Sequence, residues 1–147
     1  MHIAIGADQG GFELKEKIVE YLAAHDHKVL DLGIHELKSV DYPDIAKSVA
    51  RSVADGEAER GIIVCATGLG VSMAANKVRG IRAALCTDCY MARMAREHND
   101  AQVLCLGGRV IGFGPALEIV GVFLTSEAQG GRHARRVRKI DALDERE

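Results

Sequence analysis

The stretch GIIVCATGLGVSMAANKVRG, residues 61–80, decides the fold. Its Ile62–Val64 run is typical of a strand buried on both faces of a parallel sheet. Cys65 follows where that strand would end, a small-residue turn spans 66–70, and residues 71–78 have a helical pattern. A strand, a glycine turn and a helix in this order direct free backbone N–H groups at an anion. The stretch therefore predicts a candidate nucleophile or base beside an oxyanion cradle.

Three interpretations of Cys65 compete. A buried cysteine in a strand, followed by glycines that only form a turn, is common. A cysteine phosphatase loop needs an arginine six residues after the cysteine, and Val71 occupies that position. The third interpretation is a base that moves a proton while the turn stabilises the resulting oxyanion. The remainder of the chain has to decide between the first and the third.

Composition limits the classes of partner. The 147 residues are 48% hydrophobic and carry a net charge of -2, which fits one domain with a substantial core. This charge does not favour binding to nucleic acid or to an anionic membrane. No apolar run approaches the roughly 20 residues of a membrane span, and the start, MHIAIGADQGG, is unlike a signal peptide. We expect a cytoplasmic protein with no nucleic acid or membrane partner.

Four cysteines are present, and three of them fall in or beside apparent strands, which suggests reduced thiols. Cys86 and Cys89 have CxxC spacing, but no second CxxC and no paired histidines accompany them. The pattern is weak evidence for metal or redox chemistry, and we predict no metal site.

Hydrophobic periodicity predicts five strands alternating with helices, which indicates a three-layer α/β/α Rossmann-like fold with a five-stranded parallel sheet. The predicted strands are His2–Gly6, Lys28–Leu32, Ile62–Val64, Gly80–Cys86 and Gln102–Leu106. The intervening helices are expected near Phe12, Pro43, Val71, Asp88 and Pro115. We expect one domain over residues 1–147, with 130–147 as a C-terminal helix and tail.

Asp8 and Cys65 each follow a strand directly, so both are expected at the carboxyl edge of the sheet, where ligands bind in such folds. Asp8 alone is explained equally well as a turn or cap residue. A pair on one edge, each beside glycines, favours a site. The segment Gly6–Gly11 does not spell the dinucleotide motif G-x-G-x-x-G.

His98 ends a helix that starts at the carboxyl edge and runs back about 15 Å. It is therefore predicted at the opposite edge from Asp8 and Cys65 of its own chain. A histidine at a helix C-terminus needs no further role in a monomer, since the dipole there favours it. If His98 is catalytic, a second subunit has to complete the site, which predicts an obligate homodimer with shared active sites.

Arg132 and Arg136 lie four apart on one helical face of RHARRVRKI. Two such guanidinium groups are suited to grip a phosphate, although a solvated basic face explains them equally well. Nucleic-acid binding is disfavoured because no aromatic residue is interleaved with the arginines. Arg109, which follows Gly107 and Gly108, is a further candidate for this phosphate contact.

Taken together, these motifs resemble the ribose-5-phosphate isomerase B family, which includes galactose-6-phosphate isomerase subunits. The resemblance covers nearly the whole chain and is carried by GADQGGFELKE, Asp41-Tyr42-Pro43, CATGLGVSMAANK, Arg96–Asp100 and GGRHARRV. It implies interconversion of an aldose phosphate and a ketose phosphate in the pentose phosphate pathway, without metal or organic cofactor. It also implies a homodimer, or a tetramer, that acts on a small-molecule sugar phosphate.

The resemblance also implies roles for individual residues. Cys65 resembles the base that shuttles a proton between C1 and C2, Thr67 its hydroxyl-bearing neighbour, and His98 the group that opens the sugar ring. The cradle for the enediolate oxygen corresponds to the turn residues Ala66, Thr67, Gly68, Leu69 and Gly70. Contacts to sugar hydroxyls, ring oxygen or phosphate correspond to Asp8, Gln9, Tyr42, Asn99, Arg109, Arg132 and Arg136.

Two positions depart from the family pattern. Gln9 stands where a histidine is usual, and it donates hydrogen bonds without adding positive charge. Ala66 stands where a glycine is usual, which narrows the backbone options of the turn. The leading substrate pair is D-ribose 5-phosphate and D-ribulose 5-phosphate. A tetrose 4-phosphate or hexose 6-phosphate remains open, as does a non-catalytic phosphosugar-binding domain.

Overall fold

The computed structural model describes residues 1–145 and contains one parallel sheet with helices on both faces. Its strands are β1 (His2–Ala7), β2 (Lys28–Asp31), β3 (Arg60–Cys65), β4 (Ala83–Leu85) and β5 (Val103–Gly107). Its helices are α1 (Phe12–Ala24), α2 (Tyr42–Ala54), α3 (Leu69–Ala75), α4 (Cys89–Glu97), α5 (Phe113–Thr125) and α6 (Arg132–Asp141), followed by a short 3-10 helix, Ala142–Glu145. The predicted fold class is confirmed. Residues 146 and 147 of the predicted tail lie outside the described residues.

Alternation along the central strand divides the core into two layers. Ile62 and Val64 pack with α1, α4 and α5, whereas Ile63 and Cys65 pack with α2 and α3. All four side chains are buried, as expected for a parallel strand covered on both faces. No helix among residues 1–145 has the length and apolar character needed to cross a membrane.

The strand order is β2-β1-β3-β5-β4, and the parallel pairs run through the whole sheet. The chain winds outward in one direction from β1 and in the other from β3, so the topological switch point lies between these two strands. Ligands in open α/β sheets bind at this point, beyond the carboxyl ends of the strands. Asp8 and Cys65 flank it, because Asp8 follows β1 and Cys65 ends β3.

Two element boundaries differ from the predicted ones around residues 69–86. Helix α3 spans Leu69–Ala75 rather than 71–78, and β4 is three residues long rather than seven. The side-chain amide of Asn76 connects the end of α3 to the start of β4. Its Nδ2 donates to the Ala83 carbonyl at 2.9 Å, and its Oδ1 accepts from the Ala83 N–H at 2.8 Å. Asn76 is the C-cap residue of α3, and Ala83 is the first residue of β4.

Candidate active site

Asp8 and Cys65 lie side by side at the carboxyl edge of the sheet. Ala7 is the register partner of Val64, and the Asp8 N–H donates to the Val64 carbonyl at 3.3 Å. The Asp8 carboxylate accepts the Gly10 N–H at 2.9 Å, which fixes the turn after β1. Asp8 is 7% exposed and Cys65 is 5% exposed. The predicted placement of both residues is therefore correct.

Backbone N–H groups of the turn after β3 point at the two side chains that precede them. The Gly68 N–H donates to Cys65 Sγ at 3.1 Å, and the Leu69 N–H donates to Thr67 Oγ1 at 3.2 Å. Gly70 lies in the first turn of α3, where an N–H has no intrahelical acceptor. The turn thus provides a backbone donor to the Cys65 sulfur and further donors for an oxyanion.

Ala66 is accommodated by the neighbouring glycine turn. A Cβ placed on Gly10 would lie 2.9 Å from the Ala66 Cβ, so the alanine methyl occupies the space that Gly10 leaves open. The Ala66 carbonyl accepts the Arg109 N–H at 3.0 Å, and the Cys65 carbonyl accepts the Gly108 N–H at 2.8 Å. These bonds fasten the turn to the end of β5, so the cradle is rigid with alanine in place.

Gly68 is required by the path of the turn. Its φ of +82° lies in the left-handed region, and a Cβ there would lie 2.9 Å from the Leu106 carbonyl carbon. Gly70 is required by a neighbour, since a Cβ on it would lie 2.6 Å from Tyr42 Cζ. The Tyr42 ring therefore covers the start of α3, and it places a phenol at the same edge as Cys65.

A cleft of about 620 Å³ lies beside the turn after β1 and the turn after β5. Its polar lining includes Gln9, Lys38, Ser39 and Arg109, and Glu13 adds an opposing charge. The Gln9 Oε1 accepts the Val40 N–H at 3.0 Å, which ties the turn after β1 to the loop that carries Lys38 and Ser39. The volume is in the range of small-molecule sites.

A larger groove of about 890 Å³ lies elsewhere, along α2 and α3, and contains none of the predicted site residues. Two predicted site residues, Gln9 and Arg109, line the smaller cleft, whereas Cys65 and Asp8 are buried and do not line it. We therefore take the smaller cleft, and not the larger groove, as part of the candidate active site.

Sequence reasoning missed Lys38 and Ser39. They belong to the segment between β2 and α2, and this segment has no hydrophobic periodicity from which its position could be predicted. In the structure it folds back over Gln9. The sequence feature that comes closest to predicting their place in the cleft is the polar composition of this loop.

His98 lies at the opposite edge of the sheet from Cys65, as predicted. It caps the C-terminus of α4, and the chain enters β5 at Val103, whereas Cys65 pairs with Gly107 at the far end of β5. Val103 and Gly107 are four residue steps apart along the strand, or about 13 Å. Asn99 follows His98 at the same edge, so the structure does not bring these two residues to Cys65 of the same chain.

The basic helix α6 joins His98 at this edge. The ring of His133 stacks on that of His98 with centroids 4.0 Å apart and an interplanar angle of 7°. Burial, together with the positive charges of His98, Arg132 and Arg136, lowers the pKa of His133. The structure therefore groups Arg132 and Arg136 with His98, whereas Arg109 belongs with Gln9 in the cleft at the carboxyl edge.

Two of the other cysteines, Cys86 and Cys105, are buried thiols. Burial raises the pKa of Cys86 to about 12 and raises that of Cys105 still further, so both are protonated at neutral pH. All four cysteines are free thiols, including the Cys86 and Cys89 pair. Within residues 1–145, Cys65 is the cysteine whose sulfur accepts a backbone N–H bond.

Known proteins share both this sequence and this fold. A model of the Ribose/Galactose Isomerase family matches residues 3–140. Ribose-5-phosphate isomerase B of Escherichia coli is 45% identical over 144 residues, which cover 98% of this chain and 97% of that protein. D-erythrulose-4-phosphate isomerase of Pectobacterium atrosepticum is 44% identical over 148 residues, which cover 100% of this chain and 97% of that protein.

Solved structures agree with this assignment. Ribose-5-phosphate isomerase B of Clostridium thermocellum matches with a TM-score of 0.98 and 55% identity, over 99% of this chain and 98% of that one. The type B ribose 5-phosphate isomerase of Trypanosoma brucei matches with a TM-score of 0.93 and 51% identity, over 97% of each chain. With a family model over most of its length and relatives over nearly all of it, the chain belongs to the Ribose/Galactose Isomerase family.

Proposed function

We propose that this protein interconverts D-ribose 5-phosphate and D-ribulose 5-phosphate through an enediolate. The observation that carries the proposal is the Cys65 sulfur at the tip of β3, which accepts the Gly68 N–H at 3.1 Å on the strand that pairs with the one leading to Asp8. Family membership and the names of the relatives support the same reaction class. The whole chain acts as one isomerase domain, with α6 as its C-terminal helix.

The proton transfer uses Cys65 as the base. Its thiolate takes the proton from C2 of the open-chain aldose, and the electron pair left on C2 forms the C1–C2 double bond while O1 becomes negative. The N–H groups of the turn at 66–70 stabilise that oxygen. The thiol then returns the proton to C1, and the Thr67 hydroxyl relays a proton from O2 to O1. The steps balance without a metal or organic cofactor.

The ring of the aldose has to open before this transfer, and His98 supplies the acid and base for that step. Because His98 lies at the far edge of its own sheet, the imidazole in each site comes from a second copy of the chain. Asn99 of that copy binds sugar oxygens, while Asp8 and Tyr42 of the first copy bind hydroxyl groups. The functional unit is thus a homodimer, alone or within a tetramer.

The phosphate is held where the two copies meet. Arg132 and Arg136 approach on α6 of one copy, and Arg109 and Gln9 line the cleft of the other. Guanidinium groups bind phosphate oxygens through paired charge-assisted hydrogen bonds. Gln9 contributes a neutral donor here.

A tetrose 4-phosphate is the second candidate substrate. The relative named for D-erythrulose 4-phosphate is 44% identical over the whole chain, and Gln9 changes the charge at the phosphate end of the site. Measurement of kcat/KM for tetrose, pentose and hexose phosphates therefore tests which length of substrate the protein prefers. We expect the pentose to give the highest value, and a higher value for the tetrose would reassign the substrate.

Exchange of solvent deuterium tests the reaction class itself. D-ribulose 5-phosphate incubated with the protein in D₂O is expected to gain deuterium at C1, because the enediolate forms reversibly. The same incubation with a Cys65→Ala variant serves as the control. A protein that binds the sugar phosphate without any exchange at C1 is a non-catalytic binding domain, and that result would overturn the proposal.

A further inference from the structure

Arg82 connects the segment after His98 to the end of α6. Its Nε donates to the Asn99 carbonyl at 3.0 Å, and its Nη2 donates to the Asp100 carbonyl at 3.0 Å. Its Nη1 donates to Asp141 Oδ1 at 2.6 Å. The Arg82 side chain is only 14% exposed, although its partner Asp141 is 42% exposed.

A second arginine reinforces the same segment. Arg96 Nη1 donates to Asp100 Oδ1 at 2.8 Å and to the Ala101 carbonyl at 2.7 Å, and the residue is 3% exposed. Asp100 itself has a φ of +46°, a left-handed conformation that is uncommon outside glycine. Charge-assisted bonds from both arginines therefore hold a turn whose backbone would otherwise relax.

Helix α6 contacts this segment at both of its ends. Near its start, the His133 ring stacks on His98, and at its last residue Asp141 binds Arg82. These two contacts are eight residue steps apart, or about 12 Å along the helix axis. Arg136 lies between them, and Arg132 directly precedes His133.

We propose that Arg82 is a positioning residue that sets the placement of His98 and Asn99 relative to the two arginines of α6. The inference depends on the proposed function, in which the imidazole and the guanidinium groups serve one site. The planar guanidinium reaches three acceptors in different directions, which a lysine ammonium on a flexible stem does not reproduce. Since a misplacement of about 1 Å lowers rates substantially, loss of this link should reduce turnover without any contact to substrate.

Steady-state kinetics on Arg82→Met and Arg82→Lys, compared with Arg79→Met, test the proposal. Arg79 is the matched control, because it also binds the C-terminal segment, through Glu145 at 2.7 Å, yet it has no bond to Asn99 or Asp100. We expect kcat/KM for D-ribose 5-phosphate to fall at least about tenfold in both Arg82 variants and less than about twofold in the control. Circular dichroism and gel filtration verify folding and assembly.

Two further measurements separate positioning from general damage. Asp141→Ala removes the acceptor at the end of α6 alone, so we expect it to raise KM about threefold or more with kcat nearly unchanged. Deuterium exchange at C1 of saturating D-ribulose 5-phosphate should stay near the wild-type rate in Arg82→Met. That ketose forms no furanose ring because O5 carries its phosphate, and Cys65 is at the other edge.

Each outcome of these measurements either supports or overturns the positioning role of Arg82. Kinetic constants of Arg82→Met equal to those of Arg79→Met would overturn the inference, as would parallel loss of C1 exchange and aldose turnover in a folded variant. If Arg82→Met does not fold, an unchanged KM in Asp141→Ala overturns it and a raised KM supports it. Absence of C1 exchange in the wild-type protein would instead refute the proposed function, and the inference would fall with it.

Discussion

Cys65 and His98 lie at opposite edges of the same sheet. Cys65 ends β3 at the carboxyl edge, whereas His98 follows α4 at the edge where β5 begins. Each edge carries half of a set of groups suited to one reaction: a thiol with backbone donors on one side, and an imidazole with guanidinium groups on the other. In the proposed reaction, the second set of groups comes from another copy of the chain.

Removal of the thiol should abolish proton transfer while substrate still binds. We expect Cys65→Ala to lower kcat about 10³-fold or more, since a positioned base contributes on this scale. The dissociation constant for D-ribose 5-phosphate, measured by calorimetry, should change little because the phosphate contacts remain. Cys89→Ala is the control, and a Cys65→Ala variant with near-normal turnover would remove the sulfur from the mechanism.

Removal of the His98 imidazole should slow the reaction of the cyclic aldose and leave that of the open-chain ketose largely unchanged. His98→Asn is expected to lower kcat for the cyclic aldose about 10²-fold, because the ring no longer opens on the enzyme. Exchange of the C1 hydrogen of D-ribulose 5-phosphate should persist, since this ketose is already open. Equal losses in the two assays would mean that His98 acts in the proton transfer or in folding, and not in ring opening.

Lys15 should be the most important single charge for stability. Its ammonium is fully buried and binds the Asp31 carboxylate at 2.9 and 2.8 Å and the Ile34 carbonyl at 2.7 Å. We expect Lys15→Met to lower the free energy of unfolding by about 3 kcal/mol, because it leaves partly buried acceptors without a partner.

Urea denaturation measures this change, with the exposed Lys47→Met as a control that should shift stability by less than about 0.5 kcal/mol. A Lys15→Met protein as stable as the control would show that the ion pair contributes no net stability.

Acid should weaken the fold through His133. Burial and the neighbouring cations lower the pKa of His133, so between its folded and unfolded pKa values the unfolded chain binds more protons. The stability due to neutral His133 is complete above about pH 6.5 and is lost as the pH falls through the folded pKa.

We therefore expect the stability of the wild type relative to His133→Gln to decrease between about pH 7.5 and about pH 5. Denaturation curves at several pH values measure it, and a difference that does not vary with pH would contradict this role of the buried ring.

The central part of the fold follows from local patterns. The run Ile62–Val64 and the glycine turn after Cys65 determine both a strand and its edge, because apolar periodicity and glycine placement are properties of neighbouring residues. The prediction that His98 lies at the far edge was correct for the same reason, since helix length fixes where a helix ends.

Other features depend on contacts between distant residues. The Asn76 amide at the end of α3 pairs with Ala83 seven residues later. The place of Lys38 in the cleft depends on how Gln9 holds a loop without a hydrophobic pattern. The link from Arg82 to Asp141 spans 59 positions of the chain. No local rule of periodicity or capping predicts such contacts.

Subunit mixing tests the shared site most directly. Cys65→Ala and His98→Asn proteins, each inactive alone, are mixed in equal amounts under conditions in which exchange of subunits is verified. Half of the resulting dimers are hybrids with one intact site, so we predict recovery of about one quarter of the wild-type aldose turnover. Verified exchange without any recovery of activity would contradict a site built from Cys65 of one copy and His98 of the other.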